Sequence, residues 1–269
     1  TNLKTIQLNT GTQTAGTSYI LEVSNVKDQF GNTISVTDTS KYSKSFTGAN
    51  IAQIPNSLVG WWKFDEGTGL TTADSSGNNF TCNIQNAQWI DGVIGKSLSF
   101  NGSNSSIRCE VNSKLSLKTL TLSAWIKMTG NGTNNPRIVA VGPAGTSAQH
   151  YVMAVDGIAK VIAFGRESAL PLQPVNSVST IAADSKWRQL TITFDGTTVK
   201  HYIDGVSDRT TSTNVLPAQF STAVLQIGFS DSGTDRFQGL IDDVRIYNYA
   251  LTDIEVQNYY NSTKPLATK

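Results

Sequence analysis

The sequence predicts an all-β protein that ends in one short helix. Short runs of β-branched and aromatic residues recur along the chain, separated by clusters of Gly, Asn, Asp and Ser, which is the pattern of strands joined by turns. Pairs such as Asp195-Gly196 lie between these runs and favour the positive φ angles of tight hairpins. Only residues 252–260 show helical spacing, and Thr252 with Glu255 predicts a capping box at their start.

Composition excludes several classes of partner. The chain has 269 residues and a formal net charge of +1, so it has no basic surface for nucleic acid or an anionic membrane. Its apolar runs are far shorter than the roughly 20 residues of a membrane span. The chain starts at Thr1 without a signal peptide, and we expect it to be a piece of a longer or processed protein. Cys82 and Cys109 allow one disulfide, with two buried free thiols as the alternative.

The first part of the chain has a pattern of its own. Residues 1–49 contain a Tyr-x-Leu-x-Val strand, a Val-Lys-Asp-x-x-Gly-Asn turn and a closing Phe-Thr-Gly, and they resemble the last strands of a bacterial immunoglobulin-like domain. Such a sandwich has about seven strands, and roughly three are present. We therefore expect a partial immunoglobulin-like domain that is truncated or completed by something else, followed by a linker over residues 50–57.

Six sequence blocks follow in order between Leu58 and Asn261. They read "LVGWWKFDEGTG", "DSSGNN", "SLSFNG", "LTLSAWIK", "WRQLTITFDGTTVKHYIDG" and "GLIDDVRIYNYALTDIEVQNYYN". Together they resemble a laminin-G-like jelly roll of the concanavalin A-like lectin and glucanase superfamily. The resemblance implies a two-sheet antiparallel sandwich over residues 58–261, with one concave sheet and with the "GWWKF" and "VRIYN" strands paired. Residues 262–269 are then a C-terminal tail.

Catalytic patterns are absent from the sequence. Glycosidases of this fold carry two carboxylates on a Glu-x-Asp-x-x-Glu strand, and no such run occurs. Neither His150 nor His201 lies beside a nucleophile motif, and there is no His and Cys cluster for metal hydrolysis. We therefore expect a protein that is not an enzyme.

Two adjacent carboxylates interrupt the apolar strand "GLIDDVRIY". Neighbouring strand residues point to opposite faces, so we expect one of Asp242 and Asp243 to face solvent and the other to face the buried side. A buried carboxylate needs a partner, and the sequence leaves open a cation or an ion pair with Arg245.

A calcium site is one interpretation of these acidic residues. Calcium binds 6–8 oxygens, and the "FDEGTG" and "DSSGNN" loops supply carboxylates and amides near the paired terminal strands. The resemblance also implies one structural Ca²⁺. The candidate ligands are Asp74, Asp242 and Asp243, with Glu66 and Asn101 as weaker candidates. The alternative is an Asx turn at Asp74 and an ion pair between Asp243 and Arg245.

Ligand recognition by the jelly roll would use aromatic and planar polar side chains, because a sugar ring presents a C–H face and a hydroxyl rim. Trp125 and Trp187 lie inside apolar strands and are predicted to be core residues. The candidate ligand-binding residues are Trp61, Trp89, Arg137, His150, Tyr151 and Arg166.

Three functions agree with these patterns. The first is a non-catalytic carbohydrate-binding module of a larger secreted or surface protein, with a polysaccharide or glycan as its partner. The second is a structural adhesin or filament component that assembles through residues 1–49 with further copies or domains of the same protein. The third is a glycosidase with an unrecognised site. No nucleic acid partner and no membrane insertion are expected.

Overall fold

A computed structural model describes residues 18–21, 44–47, 57–132, 135–144, 150–156, 160–163, 175–213, 217, 219–231 and 235–265. Contacts divide the chain into one unit of Thr1–Asn56 and a second unit of Ser57–Lys269. In the first unit, strand β1 (Ser18–Leu21) pairs antiparallel with β2 (Lys44–Thr47). The rest of the predicted immunoglobulin-like segment lies outside the described residues.

The second unit is built from sixteen further strands in its described residues. They are β3 (Leu58–Trp62), β4 (Thr71–Thr72), β5 (Cys82–Gln85), β6 (Gln88–Asp91), β7 (Lys96–Asn101), β8 (Ser106–Asn112), β9 (Leu120–Met128), β10 (Arg137–Gly142), β11 (Tyr151–Val155), β12 (Lys160–Ala163), β13 (Val175–Thr180), β14 (Trp187–Phe194), β15 (Thr198–Ile203), β16 (Val206–Ser212), β17 (Thr222–Ile227) and β18 (Gln238–Tyr247). One helix, α1 (Asp253–Thr263), follows them.

The strands form two antiparallel sheets. The front sheet has the order β13-β12-β11-β10-β17-β8-β5-β4. The back sheet has the order β16-β15-β14-β9-β18-β7-β6, and β3 pairs with β18 at a branch of this order. The predicted two-sheet sandwich is confirmed. The predicted pairing of β3 with β18, the first and last strands of the second unit, is also confirmed, and it places Trp61 opposite Arg245.

The core lies between the two sheets, since alternate residues of each strand face inward. In β8, Ile107, Cys109 and Val111 are buried in this core, while Arg108 and Glu110 between them face outward. The helix covers part of the back sheet, where Val256 packs with Tyr202 and Tyr247. No helix in the described residues has the length and hydropathy of a membrane span.

A disulfide joins Cys82 and Cys109, which resolves the choice that the sequence left open. Both cysteines are buried on the core side of neighbouring strands β5 and β8. Asn83 follows Cys82 and Arg108 precedes Cys109. These two residues are paired and point to the other side of the front sheet. The disulfide therefore fixes two strands whose outward residues belong to the site described below.

Asp242 and Asp243 are both buried, with 0% and 3% of their surfaces exposed, so the expectation that one of them faces solvent is wrong. Strand alternation fails here because β18 contains a bulge. Its register with β9 shifts between Asp242 and Arg245, and Asp243 has a φ of +47°. The extra residue of a bulge is free to turn its side chain out of the alternating pattern.

Candidate ligand-binding groove

A row of polar residues crosses the outer face of the front sheet. Asn83 of β5 pairs with Arg108 of β8, and Arg108 pairs with Gln226 of β17. The row continues into apolar Ala140 and Val152 on β10 and β11. Neighbouring strands lie about 4.8 Å apart, so the three polar residues span about 10 Å.

Asn83 and Arg108 of this row line a pocket of about 680 Å³, which we call the front groove, while Gln226 is buried beneath it. It is lined by Asn83, Ile84, Gln85, Asn86, Asn104, Ser106, Arg108, Phe229, Asp231 and Arg236. These residues come from three separate parts of the chain, at positions 83–86, 104–108 and 229–236. The sheet register brings them together.

Two turns build one wall of the front groove. Asn86 has a φ of +55°, the left-handed conformation that asparagine tolerates better than most residues. Its Nδ2 donates to the Asn104 carbonyl at 3.3 Å, and its own carbonyl accepts from Ser105 Oγ at 2.7 Å. On the floor beside them, Ser106 Oγ donates to Gln85 Oε1 at 3.3 Å.

The segment after β17 builds the opposite wall. Arg108 Nη1 donates to both carboxylate oxygens of Asp231 at 2.8 Å, and the Asp231 N–H donates to Gln226 Oε1 at 3.3 Å. The guanidinium of Arg236 lies over the Phe229 ring, 5.1 Å from its centre. The Phe229 ring is 6% exposed, so this wall presents mainly the planar polar groups of Arg108, Asp231 and Arg236.

This arrangement suits the binding of a polyhydroxylated ligand and does not suit hydrolysis. Amide and guanidinium groups can bridge neighbouring hydroxyls. Among the described lining residues Asp231 is the one carboxylate, and Arg108 holds it. Glycoside hydrolysis ordinarily needs two carboxylates about 5–10 Å apart.

Residues 101–257, more than half of the chain, match the family model described as the concanavalin A-like lectin/glucanases superfamily. The chain belongs to this superfamily. Its relatives include mouse usherin, 28% identical over 153 residues, which are 54% of this chain and 3% of usherin. The chain therefore corresponds to a very small part of that relative.

Two solved structures share the superfamily sandwich. Domain 4 of an extracellular arabinanase from Geobacillus stearothermophilus, in complex with arabinotriose, has a TM-score of 0.60 and 24% identity, covering 75% of this chain and 97% of that one. The binding domain of Paraclostridial mosquitocidal protein 1 has a TM-score of 0.62 and 20% identity, covering 78% and 53%. At these identities the likeness shows the fold.

Three of the ligand-binding residues predicted on the middle strands are described by the structure, and they do not line the front groove. Tyr151 faces the core, fully buried, and its hydroxyl donates to the Leu115 carbonyl at 2.9 Å, so its prediction as a contact residue is corrected. His150 stacks on Phe220 at 4.5 Å, and burial lowers its pKa. Arg137 is largely buried and pairs with Asp235 at 3.2 Å. Arg166 lies outside the described residues.

The two predicted tryptophans belong to the back sheet. Trp61 lies on β3, and its Nε1 donates to Asp243 at 2.5 Å. Trp89 lies on β6, packs against the core, and donates to the Gly69 carbonyl at 3.0 Å. The sequence-based prediction chose residues by type and missed the front groove. The alternation of polar and apolar residues in β8 indicates which residues of this strand face outward, and it could have been used to find the groove.

Three of the predicted calcium ligands, Asp74, Glu66 and Asn101, accept hydrogen bonds from other groups of the chain. Asp74 Oδ1 accepts from the backbone N–H groups of Trp61 at 2.9 Å and Ser76 at 2.8 Å, and its Oδ2 accepts from Ser76 Oγ at 2.8 Å. The bonds to Ser76 are those of an Asx turn. Glu66 accepts from the Ala73 N–H at 2.8 Å, and Asn101 Oδ1 accepts from the N–H groups of its own loop.

Asp243 forms an ion pair with Arg245, which was the alternative to calcium binding in the sequence analysis. Arg245 lies 3.1 Å from its carboxylate, and Tyr259 donates its hydroxyl at 2.8 Å. The guanidinium also lies 4.4 Å from the ring centres of both Trp61 and Tyr259. Burial, with the Asp243 charge, raises the pKa of Tyr259, so its hydroxyl remains a donor. This cluster joins β3, β18 and α1.

The described residues contain no group of three His, Cys, Asp or Glu side chains placed to hold a metal ion. The contacts of Asp74 and Asp243 therefore favour the Asx turn and the ion pair, and calcium binding stays a prediction. A ligand bound only by the native state raises the unfolding temperature. If the Asx turn and the ion pair are the only roles of these carboxylates, a chelator leaves the unfolding temperature unchanged. A fall that added Ca²⁺ reverses, and that Asp74→Ala abolishes, would establish the calcium site instead.

Asp242 is buried in an incompletely satisfied environment. Its Oδ2 accepts from the N–H groups of Val93 at 2.9 Å and Ile94 at 3.1 Å, while its buried Oδ1 accepts no hydrogen bond from the described residues. Burial, with the neighbouring Asp243 charge, raises the pKa of Asp242 to about 7. The folded chain therefore binds this proton more tightly than the unfolded chain, whose carboxyl has the ordinary value of 3.8.

Asp242 should make stability depend on pH. Its protonated form contributes stability that is complete below pH 3.8 and is lost as the pH rises to about 7. Asp242→Asn, which mimics the protonated side chain, should therefore become more stable relative to the parent as the pH rises, by at most about 1.4 kcal/mol per pH unit. Urea unfolding across this range measures the difference.

His201 also makes stability depend on pH, but its contribution is the same in Asp242→Asn and in the parent. Burial lowers the pKa of His201 to about 4, so its neutral form contributes stability above pH 6.5 that is lost towards pH 4. This opposite trend is present in both proteins and does not affect the difference between them. A difference between Asp242→Asn and the parent that is constant with pH would contradict the raised pKa.

Proposed function

We propose that residues 57–265 form a non-catalytic carbohydrate-binding module and that the front groove is its binding site. The observation that carries this proposal is that Asn83 and Arg108 pair on adjacent strands and that both line one pocket with Asp231, which holds Arg108. The arabinanase domain of the same fold, solved with arabinotriose, supports a glycan as the ligand class.

The groove is suited to bind a glycan through fixed groups. Arg108 is held by Asp231, so its side chain loses little rotamer freedom when a ligand arrives. Asn83 is exposed and supplies a further amide at the end of the row. Because the groove is open and its contacts are few, we expect weak affinity at each site and gain from multivalency.

We also propose that the module works outside the cell as part of a larger secreted or surface protein. The Cys82–Cys109 disulfide is of the kind that persists in oxidising compartments. The arabinanase with a domain of this fold is described as extracellular.

Binding should depend on the front groove and not on the back sheet. Asn83→Ala and Arg108→Met should each weaken binding of the best ligand on a glycan array by about tenfold, or about 1.4 kcal/mol. Arg188→Met is the matched control, because Arg188 forms a similar pair with Asp184 at 3.1 Å on the back sheet. Equal losses in Arg108→Met and Arg188→Met, or release of reducing ends by the parent, would contradict the proposal.

A second candidate function is a structural adhesin or filament component. In the described residues of the first unit the sheet has two strands, β1 and β2, and such a ribbon is marginal alone. Recruitment of strands from another copy would complete it. Light scattering over a range of concentrations tests this: growth of oligomers that Leu21→Asp abolishes would support assembly, and a monomer at all concentrations would contradict it.

A further inference from the structure

The guanidinium of Arg108 is paired within the protein. Arg108 contacts Asp231 at 2.8 Å, and its Nε lies 3.8 Å from the exposed carboxylate of Glu110. Two carboxylates therefore flank this guanidinium. The other cationic side chain among the described lining residues is Arg236, whose guanidinium lies over the Phe229 ring.

This pairing determines which sugars can use the groove. A hydroxyl both donates and accepts, so it can accept from a guanidinium N–H and donate to the carboxylate of the same pair. A sugar carboxylate can only accept. To reach Arg108 it would have to approach Asp231 and Glu110, and the repulsion between like charges weakens such binding.

We propose that the front groove selects neutral, hydroxyl-rich glycan chains and discriminates against chains that carry uronic or sialic acids. The inference rests on the proposed function and adds the chemical class of its ligand. Asp231 is the residue that sets this selection, because its charge cancels that of Arg108 at the centre of the polar row. A neutral ligand also releases no counterions, so its affinity should change little with salt.

The test measures binding of the whole chain to two panels of glycans. The neutral panel holds arabinan, galactan and cello-oligosaccharides, and the acidic panel holds polygalacturonate, hyaluronan and sialylated oligosaccharides. We expect the strongest neutral ligand to bind about tenfold or more tightly than any acidic one, with little change in affinity between about 0.05 and 0.5 M NaCl.

A charge variant separates selection from mere binding. Asp231→Asn keeps an oxygen that can accept from Arg108 and removes the opposing charge, so it should gain affinity for the acidic panel by about tenfold. Asp184→Asn, at the Arg188 pair of the back sheet, is the matched control and should gain none.

The outcomes separate this inference from the function on which it rests. Neutral binding together with the gain in Asp231→Asn supports the inference. Binding of acidic chains by the parent, equal to or tighter than binding of neutral ones, overturns the selectivity and leaves the carbohydrate-binding function standing, as does an Asp231→Asn variant without the gain. Binding to neither panel overturns both.

Discussion

Replacing Cys82 and Cys109 together by alanine should lower the free energy of unfolding by about 3.5 kcal/mol. The two residues are 27 positions apart, and opening a loop of this length releases about that much chain entropy in the unfolded state. Alanine fits the buried site, since a cysteine in a core behaves as a small apolar residue. Urea unfolding of the parent and the double variant measures the difference.

The double cysteine variant should also bind glycans more weakly than the parent. The bond lies directly beside the Asn83–Arg108 pair, so its loss should loosen the floor of the front groove and weaken glycan binding in the folded variant. The parent unfolded and refolded without reductant is the control for handling. A difference in unfolding free energy below about 1 kcal/mol would contradict a stabilising role for this bond.

Replacing Arg245 by methionine should lower the free energy of unfolding by about 3–5 kcal/mol, because it leaves the carboxylate of Asp243 buried without its cation. Asp243 is 3% exposed, and Arg245 contacts it at 3.1 Å. The double variant Asp243→Asn/Arg245→Met removes both charges and should recover part of the loss. Asparagine tolerates the φ of +47° at this position.

The control for this pair is Arg188→Met. Arg188 and Asp184 form an ion pair at 3.1 Å, but their side chains are 26% and 28% exposed, and such pairs contribute about 0–1 kcal/mol. Urea unfolding of the four proteins at one pH gives the comparison. If Arg245→Met is no more destabilising than Arg188→Met, the buried cluster is not what fixes β18 against β3 and α1.

The fold could be predicted largely because its signals are local. Strands such as β9 and β14 are rich in β-branched and aromatic residues, and Thr252 caps the helix with both bonds of its predicted capping box. The pairing of β3 with β18 came from the resemblance to a family. The bulge at Asp243 was missed, because the sequence "GLIDDVRIY" contains no glycine or proline at the position where the alternation breaks.

The site was harder to predict because it is not local. Asn83, Arg108 and Phe229 are far apart in sequence and meet only through the register of β5, β8 and β17. Trp61 was predicted to bind ligand because it is aromatic. Whether an indole is free to bind depends on its partner, and that of Trp61 is Asp243, 182 positions away.

We expect carbohydrate to bind on the outer face of the front sheet. Amide shifts in nitrogen–proton correlation spectra, recorded while the neutral oligosaccharide that binds most tightly is added, locate the bound ligand. The largest changes should cluster on β5, β8 and the segment that carries Phe229 and Asp231. Changes confined to the back sheet around Trp61 and Trp89, with none at Asn83 or Arg108, would contradict this binding site.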